Sequence, residues 1–94
     1  MSLDDVFFYQ DAWAELLEAV NDYNAKAKGL GRHFLKAVER GIEQINANPQ
    51  SFPLHQETQT RVYSLHRLPY LFYFLELNQE IWIVGIEKTI KSKY

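Results

Sequence analysis

None of the 94 residues is a cysteine. That excludes disulfides, thiol nucleophiles and thiolate metal ligands together, and it fits a reducing compartment. Long apolar runs are missing too: no stretch approaches the roughly 20 residues of a membrane span, and the N-terminus lacks the basic-then-apolar layout of a secretory signal. A cytoplasmic protein without a membrane partner is expected. The sequence has no glycine-rich phosphate loop, nucleophile elbow or paired-carboxylate motif, and no internal repeat or low-complexity segment. Its histidines, His33, His55 and His66, never fall at a metal-ligand spacing such as i, i+4 on a helix, so neither a metal nor another cofactor is expected.

A basic surplus is also lacking. The net charge is −2, which is unfavourable for gripping a phosphate backbone. The charge is uneven, however. Residues 1–57 carry five Lys/Arg against nine Asp/Glu, a net of −4, whereas residues 58–94 carry five against three, a net of +2. Any anionic partner is therefore expected at the second half. With 47% hydrophobic and 15% aromatic residues, a chain of this length supplies one core and not two, so residues 1–94 are expected to form a single domain.

Val6-Phe7-Phe8-Tyr9 is a short β-prone run that needs a later strand to pair with, and it is expected at a sheet edge. Asp11 is placed to cap a helix from about Ala12 to Ala27. The apolar positions Ala12, Leu16, Val20 and Tyr23, joined by Trp13 and Leu17, recur at helical spacing. Gly29-Leu30-Gly31 breaks the pattern and reverses the chain. A second helix, from Leu30 or Gly31 to Ala47, aligns Phe34, Val38, Ile42 and Ile45, with Leu35 widening the stripe, and so predicts an antiparallel hairpin. Gly41 inside it costs about 1 kcal/mol relative to alanine, which a close approach by another element would explain.

Asn48-Pro49 stops that helix, and a loop is expected to about Thr58, with Phe52 plugging the core edge. Arg61 to His66 alternates as a strand, with Arg61, Tyr63 and Leu65 on one face and Val62, Ser64 and His66 on the other. Pro69 belongs at the start of the next strand. Tyr70 to Leu77, almost continuously apolar, reads as a strand at the sheet centre, followed by a tight Asn78-Gln79 connection and a last strand from Ile81 to Ile86. The expected fold is α+β, in the order β-α-α-β-β-β, with an antiparallel sheet and the helical hairpin packed on one face.

Several pieces, in their order and spacing, resemble one family. They are Ala12-Trp13-Ala14-Glu15-Leu16 after an opening strand, Gly31-Arg32-His33-Phe34-Leu35, Ile45-Asn46-Ala47-Asn48-Pro49, Phe52-Pro53, Arg67-Leu68-Pro69-Tyr70 and Ile81-Trp82-Ile83-Val84-Gly85-Ile86. Together, from Val6 to about Ile86, they are similar to the RelE/ParE superfamily of toxins from type II toxin–antitoxin, or plasmid stabilisation, systems, and to its ParE-like branch in particular. The resemblance implies a toxin neutralised by a cognate antitoxin, as a toxin–antitoxin hetero-oligomer or a homodimer. ParE-like members are associated with inhibition of DNA gyrase by binding. RelE-like members are ribosome-dependent endoribonucleases acting on mRNA, with a basic set on the sheet and C-terminal region. Many relatives end the last strand with a histidine followed by arginines; here Glu87 holds the histidine's place, and Lys91-Ser92-Lys93-Tyr94 replaces the arginine-rich ending. That departure favours binding over cleavage and leaves a diverged, non-toxic interaction module as a further alternative.

A metal-free ribonuclease needs a base for the 2′-hydroxyl proton, an acid for the leaving oxygen and cations for the phosphorane charge. Arg61, His66, Arg67, Lys88, Lys91 and a tyrosine such as Tyr63 are the residue types that supply these. The plainer expectation has Arg61 and Arg67 reaching solvent or pairing with Glu76, Glu80 or Glu87. For contacts to a target or antitoxin the expected set is Arg61, Arg67, Tyr73, Trp82, Lys88 and Lys91, in which exposed sheet aromatics meet a base or, more commonly, an apolar partner surface.

Overall fold

The computed structural model describes residues 3–65 and 67–89. A 3₁₀ turn (Leu3–Asp5) leads into β1 (Phe7–Phe8), α1 (Gln10–Lys26), α2 (Leu30–Ala47), a second 3₁₀ turn (Pro49–Ser51), β2 (Leu54–His55), β3 (Thr60–Ser64), β4 (Tyr70–Leu77) and β5 (Glu80–Lys88). Five strands form one sheet in the order β1-β5-β4-β3-β2, and both helices lie on one of its faces. The fold is α+β with a mixed sheet.

Helix α1 starts two residues earlier than the capping signal suggests. The Tyr9 amide still donates to Ile83 O (2.9 Å) as the last bond of the β1–β5 pair, while Tyr9 O already accepts from Trp13 N (2.9 Å). Strand and helix therefore abut, with Tyr9 as the N-cap residue and no side-chain cap; Asp11 sits in the first turn, where its charge still meets the positive helix end. Ala12, Leu16 and Ala19 are buried, with Val20 and Tyr23 partly so. Trp13 and Leu17, expected on the same buried face, are instead 42% and 46% exposed. Trp13 meets the sheet edge by packing edge-on against Phe8 at 5.3 Å.

The chain reverses at Gly29, whose φ of +88° lies in the left-handed region. Gly29 caps α2 without a side chain. The nearby Gly31 amide donates to Asn24 Oδ1 of α1 at 2.8 Å, so the first helix satisfies an amide in the opening turn of the second. Phe34, Val38, Ile42 and Ile45 are all buried as their spacing requires. They meet Tyr70, Phe72 and Phe74 of β4 and Ile81, Ile83 and Ile86 of β5 in the core. The close approach at Gly41 is the Tyr63 ring: a Cβ there would lie 2.6 Å from Tyr63 Cε2. Phe52 packs edge-on against Tyr63 (5.5 Å) and Phe74 (5.8 Å) at the core margin.

The sheet corrects the all-antiparallel expectation. β2–β3, β3–β4 and β4–β5 are antiparallel, but β1 runs parallel to β5, with Phe7 opposite Trp82 and Phe8 opposite Ile83. β1 does sit at an edge, and β4 at the centre. A second correction lies in the presumed loop, where Leu54 and His55 pair with Arg61 and Thr60 as a short edge strand. Asn78 and Gln79 both have positive φ (52° and 66°), the geometry that matches a two-residue hairpin turn to strand twist. Between β4 and β5 the register shifts, Tyr73 facing Gly85 but Phe74 facing Ile83, so that Val84 is an extra residue. This bulge lets Ile86 resume the core face.

Candidate interaction surface

The helical hairpin covers one face of the sheet. On the other face, alternation places Leu71, Tyr73, Leu75 and Leu77 of β4 beside Trp82 and Val84 of β5, with Phe7 and Tyr9 continuing the row at the β1 edge. No element among the described residues covers them. Leu77 is 48% and Phe7 47% exposed, and the rest are intermediate or exposed. Phe7 stacks on Trp82 at 4.8 Å and Tyr9 meets the same indole edge-on at 5.5 Å, so this aromatic surface is ordered by its own packing.

Toward the opposite edge the same face opens into a hollow of about 490 Å³ between Pro53, His55, Thr60, Val62 and Tyr73. Among the described residues, the strand side chains that alternation puts on this face carry acidic charges, Glu80 and Glu87, and the one strand cation that borders the hollow is Arg61, whose guanidinium is engaged by loop carbonyls. The basic second half of the sequence thus does not make a basic open sheet face. The Tyr73 hydroxyl donates to Glu87 Oε1 at 2.7 Å. That bond, followed by partial burial and the carboxylate's charge, holds the Tyr73 phenol above its ordinary pKa.

The sequence-predicted residues do not converge. Arg61 turns toward the helix side and donates from Nη1 to Phe52 O (2.7 Å) and Gln50 O (3.5 Å), fixing the loop before β2. It neither projects freely into solvent nor pairs with Glu76, Glu80 or Glu87. Arg67, in the turn between β3 and β4, lines a cleft against α2. Lys88 stands at the far end of β5, in a hollow shared with Glu15, Glu18 and Asp22 of α1. Only Tyr73 and Trp82 belong to the open face. His66 and Lys91 lie outside the described residues. Among the described residues no group of three His, Asp or Glu side chains is arranged to hold a metal ion, and no helix is long and apolar enough to cross a membrane.

One residue that sequence reasoning passed over ties the layers together. Glu15 Oε1 accepts from the Ile86 amide at 2.8 Å. β1 stops pairing at Ile83, so the β5 edge beyond it needs another acceptor, and the α1 carboxylate supplies one. Its position on the solvent side of an amphipathic helix gave no hint of this, because the need arises only from the short β1 and the Val84 bulge. Comparison with protein-family models and with curated proteins finds no match for the chain.

Proposed function

We propose that this protein is a ParE-like toxin of the RelE/ParE superfamily, working in the cytoplasm by binding a target such as DNA gyrase and neutralised by a cognate antitoxin. The observation that carries the reading is the uncovered apolar sheet face, with Leu75, Leu77 and Trp82 at its centre and Phe7 and Tyr9 at its edge. A partner helix with an apolar stripe would bury that face and complete a third layer. The acidic residues Glu80 and Glu87 on it favour a partner segment whose flanks carry Lys or Arg, rather than an acidic one.

The mechanistic preference is for binding over bond cleavage. Phosphodiester cleavage requires acid, base and cation within reach of one phosphate, whereas Arg61, Arg67 and Lys88 point to three separate places. The test is supercoiling of relaxed plasmid by gyrase in the presence of the purified chain. Inhibition relieved by the antitoxin is expected. Undiminished supercoiling at a large molar excess would sink the gyrase version, and cleavage of translated messages abolished by Arg67→Ala would replace it with the endoribonuclease.

A further inference from the structure

Two adjoining hollows of about 500 and 640 Å³ form a cleft between α2 and the β3–β4 turn, and both are lined by Gln44, Tyr63 and Arg67. Arg40 completes one end and Ser64 the other. The side chains of Arg40, Gln44, Tyr63 and Arg67 can all donate a hydrogen bond, and among the described residues no carboxylate lines either hollow. In a chain with twelve Asp and Glu and a net charge of −2, two exposed arginines lining one hollow with no carboxylate among its described residues call for an anion. Among the described residues neither Arg40 nor Arg67 is paired with one.

The cleft is built rather than merely charged. The Tyr63 ring is wedged between Gly41, where a Cβ would come within 2.6 Å of it, and Phe52, so its phenol is held in one place. Among the described residues no hydrogen bond engages the Tyr63 hydroxyl, no buried side-chain oxygen lacks a partner, and Tyr63 lines both hollows. Arg67 has a φ of +68°, a left-handed conformation that costs a non-glycine residue about 1–2 kcal/mol. Glycine would suit the turn better, and the guanidinium is what glycine would lack.

We infer that this cleft binds the phosphate of a small phosphate monoester, with Arg40 and Arg67 clamping the phosphoryl oxygens and Tyr63 and Gln44 donating to those that remain. A monoester carries about −1.5 to −2 charges at neutral pH, which two guanidiniums balance, and planar bidentate donors match its geometry. A volume in this range accepts a mononucleotide-sized ligand. The inference does not depend on the toxin reading, since it uses neither the open sheet face nor an antitoxin.

The test is titration of the full chain with adenosine monophosphate, adenosine and inorganic phosphate at constant ionic strength, followed by calorimetry and amide chemical shifts. Saturable one-to-one binding of the monophosphate and of phosphate is expected, with shifts at Gln44, Tyr63 to Leu65 and Arg67, and none with adenosine. Arg67→Gly should keep the turn, as its circular dichroism and melting would show, yet weaken binding by about tenfold or more. Arg40→Gln should do the same, and Lys28→Gln in the helical hairpin turn should change nothing. Monophosphate binding no better than adenosine, unchanged binding by a folded Arg67→Gly variant, or shifts centred on Lys26, Lys28 and Arg32 would each overturn the proposal. Tighter binding of a single-stranded oligonucleotide through the same residues would overturn the choice of a monoester.

Discussion

Gly41 has no room for a methyl group on the side facing Tyr63. Gly41→Ala gains about 1 kcal/mol of helix propensity, but the buried ring cannot retreat without disturbing Phe52, and overpacking of this kind costs roughly 1–3 kcal/mol. The expected outcome is a net loss of stability in denaturant melts, with Tyr63→Val rendering the same substitution harmless or favourable. A gain from Gly41→Ala alone would contradict the wedge. Tyrosine ionisation gives a second residue-scale prediction. Burial raises the phenols of Tyr23, Tyr63 and Tyr70, the last also through nearby Tyr23, Asp22 and Glu18, while the Glu87 bond raises Tyr73. A folded value above the unfolded one near 10 contributes stability that is complete below pH 10 and is lost as pH rises through the folded value. Alkaline absorbance titration should therefore show four of the six tyrosines resisting ionisation beyond the ordinary value, and Glu87→Gln should return Tyr73 toward it. Six phenols ionising together near pH 10 in a protein still folded would contradict this.

At the scale of elements, the hairpin joint combines the Tyr23–Phe34 stack with one side-chain hydrogen bond between the helices. Asn24 Oδ1 accepts the Gly31 amide, and Asn24→Ala should cost about 0.5–2 kcal/mol, as loss of a helix cap does, with amide exchange quickening first at the start of α2. Unaltered exchange there would remove the joint's assigned role. The elements themselves were largely legible, for a reason the same region illustrates: α2 buries Phe34, Val38, Ile42 and Ile45 because a 3.6-residue period leaves few alternatives. α1 was less legible, since Trp13 and Leu17 continue its apolar period but face the sheet edge and solvent. Periodicity marks a stripe without saying how much of it a neighbour covers. The partner and direction of β1 escaped the sequence, although its edge position and the central place of β4 did not. The parallel pairing of Phe7 and Phe8 with Trp82 and Ile83 joins residues more than seventy positions apart, and nothing local in a two-residue strand encodes its partner or its direction. The candidate contact residues failed to converge for a related reason, because Arg61 and Tyr73 differ in sheet face and Arg67 and Lys88 in location around the fold.

Across the whole molecule, a two-layer fold in which no described residue layers the second sheet face is half-finished as a packing problem. Leu75, Leu77 and Trp82, with Phe7 and Tyr9, form an apolar surface of the kind that marks an interaction site. That is the physical core of the toxin proposal, and it requires the chain to be harmful alone and harmless when covered. The most direct measurement is induced expression in a bacterial host, alone and together with the reading frame immediately upstream, following growth and the pulse-labelled synthesis of DNA and protein. A ParE-like toxin arrests growth alone, with DNA synthesis falling first, and its neighbour restores growth. Undisturbed growth of cells that accumulate the folded chain without any partner would contradict it.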